Sequence, residues 1–174
     1  MDVSKQDLYD LIDRLDPREW KAAHAFLLNL VQTASQDASQ SQKRRFYAEI
    51  EKKEAVVRPI SEREMEQMSG LLEQLTLSEL QAELAVPVTW NGPIDCHVLI
   101  SAAIVPFLRE QSPSEQRTIM ETMAELQCFP SRLEMRRLFG LEGNLQLNMG
   151  SYRSICYIDH ENDAIVVFTL DYDE

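Results

Sequence analysis

Tyr152 and Arg153 follow a Gly150-Ser151 pair, and the chemistry legible in this chain concentrates there. Arginine presents a rigid fork of donors that closes on a carboxylate or, in the same position, on a phosphate. A general acid or phosphate clamp needs such positive charge where an anion builds up. Tyr172 adds a hydroxyl near the end of the chain, and Arg136-Arg137 adds two further cations. The alternative is structural: Tyr152 packs in a sheet and Arg153 pairs with Asp159, Asp171 or Glu174. His160 reads as a solvated turn residue, and His24 and His97 as packing residues on helices. No Ser-His-Asp order, metal-ligand spacing or phosphate loop can be assembled. Cys96, Cys128 and Cys156 are odd in number, widely spaced and set among apolar neighbours, which predicts buried reduced thiols. Neither a metal nor a cofactor is expected.

These residues must be positioned by strands. Leu145, Leu147 and Met149 alternate with Gln146 and Asn148, as a half-buried strand should. Gly150-Ser151 then turns the chain, and Ile155 and Tyr157 continue the sheet. Residues 159–163 make an acidic turn into the β-rich Ile165-Val166-Val167-Phe168. Upstream, Val88-Thr89-Trp90 predicts a short strand closed by Asn91-Gly92-Pro93. Asp95 predicts the start of an apolar helix through Leu99, Ala102, Ala103, Phe107 and Leu108, kinked by Pro106. Ser112-Pro113-Ser114-Glu115 starts another helix, carrying Ile119, Met120, Met123 and Leu126. Residues 133–141 form the next strand, with a Glu142-Gly143-Asn144 turn.

Residues 1–86 read as helices throughout. Ser4 with Asp7, followed by Leu8, Leu11, Ile12 and Leu15, predicts one helix; Asp16-Pro17 starts another bearing Trp20, Ala23, Phe26 and Leu27. Together they predict a helical hairpin. Residues 33–42 are small and polar and read as a linker. Lys43-Arg44-Arg45 opens a further helix ending near Val57, before Arg58-Pro59. Ser61 and Glu64 form a capping box for a helix whose apolar stripe is Met65, Met68, Leu72 and Leu75. Thr76 and Glu79 start the last short helix.

A strand, two helices and then antiparallel strands with a Gly-x-Tyr-Arg turn resemble the RelE/ParE superfamily of bacterial toxins, over residues 88–174. The front segment is similar to the short helical hairpins of antitoxins. The resemblance implies an α+β chain: an all-α antitoxin-like domain at 1–86, then at 87–174 two helices packed on a small antiparallel sheet. In ribonuclease members, basic and hydroxyl side chains on the sheet bind RNA phosphate and stabilise the charge of cleavage. By position that implies catalytic roles for Arg153, Tyr152 and Tyr172, RNA contacts from Arg136 and Arg137, and a covering helix bearing Met65, Met68, Leu72 and Leu75.

The rest of the pattern departs from an active ribonuclease. Gln146 and Asn148 stand where basic residues are usual, and Asp171, Asp173 and Glu174 surround Tyr172. The chain has 174 residues and a net charge of −12. Residues 87–174 hold 6 basic and 13 acidic residues, a net charge of −7, against 11 and 16, or −5, in residues 1–86. Such a surface repels nucleic acid. The expected function is therefore a self-neutralised antitoxin–toxin fusion whose endoribonuclease activity is weak, masked or lost. The alternative is a catalytically inactive toxin-fold module that binds a basic protein partner. The expected contact is intramolecular, with neither RNA, ribosome nor membrane engaged by the whole chain. The N-terminus has neither the basic flank nor the apolar core of a signal peptide, and no run reaches roughly 18 apolar residues, so a cytoplasmic location is expected.

Overall fold

The structure is a computed structural model that describes Arg14, Asp16 and residues 19–70, 73–128 and 133–173. The chain divides into two compact units, Met1–Arg44 and Arg45–Glu174. The described part of the first unit is mainly the beginning of helix α1, Trp20–Lys52. The expected helix at residues 4–15 lies largely outside the described residues. Residues 33–42 are helical and continuous with the rest of α1, which corrects their reading as a linker. Alanine and glutamine propagate a helix well, and a low-hydropathy stretch looks like a linker only because it has no apolar face.

The second unit mixes helices with a sheet. Its elements are α2 (Glu62–Ser69), β1 (Gln74–Thr76), α3 (Leu77–Leu84), β2 (His97–Ser101), α4 (Val105–Glu110) and α5 (Pro113–Glu125), then five more strands. These are β3 (Met135–Arg137), β4 (Asn144–Met149), β5 (Tyr152–Asp159), β6 (Ala164–Val167) and β7 (Asp171–Tyr172). Among the described residues the sheet has seven strands in the order β1-β2-β6-β5-β4-β3, with β7 beside β5. The expected Ser61–Glu64 capping box forms, and the helix starts expected at Thr76–Glu79 and Ser112–Glu115 are capping boxes as well. Each supplies two reciprocal bonds to donors that the first helical turn leaves unpaired.

Several expectations are corrected. Residues 1–86 are not helical throughout, because β1 pairs antiparallel with β2, Leu75 opposite Ile100. The compositional change at residues 86–87 falls inside the second unit, since residues 45–86 fold with the sheet. Val88, Thr89 and Trp90 form no strand; Gln81 donates to the Val88 carbonyl and the Trp90 indole to the Pro93 carbonyl. The helix expected from Asp95 is instead β2, a short 3-10 turn and α4, with Pro106 in the first turn of α4 where its missing N–H costs nothing. Of the strand expected at 133–141, only Met135–Arg137 forms. The sheet is also not purely antiparallel. β2 runs parallel to β6, and such a buried strand carries a continuous apolar run that periodicity cannot separate from a helix.

The β4–β5 hairpin folds as expected. It turns at Gly150, whose φ of +65° suits a residue without a Cβ. Between β6 and β7 the chain bulges: the N–H groups of Phe168 and Thr169 both point to the Ile155 carbonyl, at 2.8 and 3.4 Å. The Thr169 hydroxyl accepts from the Ile155 N–H at 2.8 Å and closes the bulge. Cys96 and Cys156 are buried thiols, Cys96 donating to the Leu126 carbonyl at 2.9 Å, and Cys128 is half-buried. Burial alone pushes Cys156 up to about 12, which keeps the thiol protonated and unreactive. No described helix is long and apolar enough to cross a membrane.

The core joins side chains from α3, α4, α5 and the sheet, and Leu80 on α3 is among its fully buried members. Leu80→Ala should lower the unfolding free energy of the whole unit by about 2–4 kcal/mol in a urea titration. An unchanged midpoint would show that residues 45–86 do not share the sheet's core.

Candidate functional site

Successive side chains on a strand point to opposite faces, so Tyr152 and Arg153 part company at once. Register assigns their neighbours. Tyr152 lies opposite Met149 and Tyr172, and Arg153 opposite Asn148 and Asp171.

The Tyr152 face is apolar and packs under α4 and α5. Tyr152 is buried, its ring 6.1 Å from Phe107 and 5.5 Å from Tyr172. Its hydroxyl is shared between Gln111 Oε1 at 3.3 Å and Glu115 Oε1 at 3.2 Å, and the Tyr172 hydroxyl donates to the same Gln111 oxygen at 3.1 Å. Burial first, then the Glu115 hydrogen bond and charge, raise the Tyr152 phenol above its ordinary value. The Ser112 hydroxyl and N–H, with Tyr152, hold the Glu115 carboxyl below its own. Tyr152 thus tethers the start of α5 to the sheet.

The opposite face is polar around Arg153 and apolar farther along, at Ile155 of β5 and Val166 of β6. It carries Gln146, Asn148, Arg153 and Asp171, and the segment from Arg58 through α2 lies over it. Glu64 of α2 is fully buried and accepts a fork from Arg58 at 2.7 and 2.7 Å, plus the Ser61 N–H at 3.0 Å. The remaining Arg58 donor, Nε, bonds to Gln146 Oε1, and Gln146 Nε2 donates to Asn148 at 2.8 Å. Arg153 is 12% exposed; its Nε stands 3.6 Å from Glu64 Oε1 and is buried without a hydrogen-bond partner. Asp171 accepts from Arg63 at 3.0 Å and from the Ser61 hydroxyl at 2.7 Å. Arg63 itself lies over the Phe107 ring at 4.8 Å and the Tyr172 ring at 5.9 Å, so it bridges the two faces around the short β7 edge.

Gln67 completes the cover. Its amide oxygen accepts from the Leu170 N–H at 2.9 Å and its Nε2 donates to the Leu170 carbonyl at 3.2 Å. One side chain therefore stands in for a neighbouring strand beyond the reach of β2. Beside it opens a polar cleft of about 550 Å³ lined by Ser61, Glu62, Arg63, Glu66, Arg153, Asp171 and Tyr172.

The structure thus brings Arg153 and Tyr172 to one cleft and turns Tyr152 away from it. Arg136 shares the face of Gln146 but is paired with Glu134. Arg137 donates to the carbonyls of Glu51 and Lys53, at 3.0 and 3.1 Å, and so caps the end of α1. On the covering helix Met65 is 52% exposed and Met68 half-buried, Leu72 lies outside the described residues, and Leu75 sits in β1. Glu64 and Gln67 make the contact instead, because the covered surface offers a guanidinium and bare backbone rather than apolar area. Sequence reasoning found Ser61 and Glu64 as a capping box but missed their roles here, together with Arg58, Arg63 and Gln67.

Three guanidinium groups and two carboxylates meet at this place, with no histidine or cysteine lining the cleft. Among the described residues no group of three or more His, Cys, Asp or Glu could hold a metal ion. No protein-family model matches the chain, and no curated protein matches it.

Burial pushes the Asp171 carboxyl up. Hydrogen bonds from the Ser61 hydroxyl and the Tyr172 N–H, with the charges of Arg63 and Arg153, outweigh that and hold it below its ordinary value. A carboxyl lowered by folding stabilises the fold above its unfolded pKa of about 3.9, and that contribution is lost as pH falls through the folded value. Asp171→Asn should therefore reduce stability at neutral pH by on the order of 1–2 kcal/mol. The gap to the wild-type chain should close on acidification. Urea titrations across this range decide it: a constant gap would mean that the carboxylate charge contributes nothing.

Proposed function

We propose that the chain is a self-covered protein of the toxin-fold class that its sequence resembles: a RelE/ParE-like sheet whose arginine face is closed by the segment preceding it. The observation that carries the reading is the buried contact of Arg153 with Glu64 of α2, beside Asp171. A phosphate approaching Arg153 would meet the negative charges of Glu64 and Asp171 at close range, and their repulsion disfavours it. Tethering keeps the cover at high effective concentration, so contacts of modest strength suffice.

Arg58 adds support. β4 carries Gln146 and Asn148 where basic residues are usual in active ribonucleases of the class, yet a guanidinium does reach Gln146, delivered by the covering segment and forked onto Glu64. In this closed state the chain binds no RNA and cleaves none.

The test uses the full chain with Ser61→Ala, Arg63→Ala and Gln67→Ala combined, which cuts the polar ties of α2 to β7 and Leu170. With cooperative unfolding retained, this variant should bind single-stranded RNA at least about tenfold more tightly than the wild type, a difference of about 1.4 kcal/mol. Adding Arg153→Ala should reverse the gain, and growth arrest on induction should follow the same order. A folded triple variant that neither binds RNA nor slows growth would defeat the reading.

A further inference from the structure

A second depression lies at the other end of β5, about 20 Å from Arg153 at the rise of a strand residue. It is a cleft of about 820 Å³ between the end of α1 and the loop joining β3 to β4. Its floor is apolar: Ile50, Leu138 and Leu145 are buried, with Ile158 and Tyr47 beside them. Its edge carries Phe139, 70% exposed, an unusual position for a large apolar ring. The Arg153 cleft is mainly polar; this one is mainly apolar.

The walls are already set in shape. Val56 donates to the Arg137 carbonyl at 2.8 Å and accepts from the Phe139 N–H at 2.9 Å, which adds a parallel bridge to the sheet's edge. The loop closes on itself through Asn144 N–H to Leu141, at 3.1 Å, and Leu138 N–H to Asn144, at 3.2 Å. Gly140 and Gly143, at φ of +84° and +79°, permit its tight path. Phe139 is therefore held outward by the backbone. A rigid, exposed aromatic above an apolar floor is the form of a docking site that needs little ordering on binding.

Charge indicates the occupant. Glu51 and Glu142 line the cleft, whereas the guanidinium of Arg137, the one among the described lining residues, is engaged with two backbone carbonyls. His160 stacks edge-on with Tyr47 at 4.7 Å, and the whole chain carries −12. We propose that this cleft docks a partner protein through a short basic segment, with apolar side chains seated on Ile50, Leu138 and Leu145 and lysine or arginine facing Glu51 and Glu142. This goes beyond the self-covered reading and stands independently of it. An open cleft rimmed by an exposed ring suits a protein segment better than a small molecule, which needs most of its surface enclosed.

The probe is a short fluorescein-labelled peptide of alternating lysine and leucine, titrated into the full-length chain and followed by polarisation. It should bind at least about tenfold more tightly than a lysine–serine peptide and than a glutamate–leucine peptide, since both apolar anchors and positive charge are required. Phe139→Ser, and separately Leu141→Ser, should weaken binding about tenfold without changing the melting temperature. Glu51→Gln with Glu142→Gln should weaken it several-fold and flatten its salt dependence, whereas Glu121→Gln with Glu125→Gln on α5 should leave it unchanged. Equal binding of the lysine–serine peptide, or full binding by the folded Phe139→Ser chain, would overturn the proposal. Self-association of the chain abolished by Phe139→Ser would assign the cleft to a second copy and overturn it equally.

Discussion

A carboxylate with no access to water organises one end of this molecule. Glu64 is fully buried, and a buried carboxylate costs several kcal/mol unless its oxygens are satisfied. Arg58 satisfies both in a fork while Ser61 adds a backbone donor, so the chain from 58 to 64 is drawn into a closed hook. The hook fixes the entry of α2 and aims Arg58 at Gln146 on β4, which brings Glu64 up to Arg153. Neither Glu64 nor Arg58 could be removed singly without depriving the other's buried charge of its fork partner. The cost of an orphaned charge, rather than the strength of any one bond, keeps α2 where it is.

The two faces of the sheet are stabilised differently. Under α4 and α5 the contacts are area-driven: Leu147, Met149 and Tyr152 are shielded by Phe107 and by the apolar face of α5. Over Arg153 there is little apolar area, and hydrogen bonds and ion pairs hold the cover. Hydrophobic packing is non-directional and tolerant of sliding, whereas forks and amide pairs fail abruptly once geometry is lost. A cover fastened in this second way is either seated or not, which is the behaviour the proposed self-closure requires.

What could be read from residues alone followed the range of the interactions. The Ser61–Glu64 capping box, the helix starts at Thr76 and Ser112, the Gly150 turn and the alternation of β4 depend on neighbours a few residues apart, and all were legible. β2 was not, because Val98, Leu99 and Ile100 owe their strand to β6, more than sixty residues away, and a continuous apolar run fits helix and buried strand alike. The cleft was half legible. Arg153 and Tyr172 stood out by type and position, but Glu64 read only as part of a capping box, Gln67 carried no signal, and Met65 and Met68 read as the contact side of the helix. Polar side chains turn inward only where the opposing surface is itself polar, and nothing within α2 reveals that the opposing surface is an arginine and an unpaired stretch of backbone.

The bulge at Phe168 and Thr169 takes up one extra residue without moving the register beyond it. Val167 pairs with Cys156 on the Tyr152 side of the sheet. Unbroken alternation would place Asp171 on that side too, but the extra residue inverts the parity and delivers Asp171 to Arg153 and Tyr172 to the aromatic cluster. Loss of one of the two bulged residues would restore regular pairing with Asp171 still opposite Arg153 and Tyr172 still opposite Tyr152. Point changes in these two residues alter packing locally. A one-residue deletion at the bulge would give up local contacts such as the Thr169 bond to the Ile155 N–H while leaving the chemistry of each face in place, so this stretch tolerates a change of length that an unbulged strand would not.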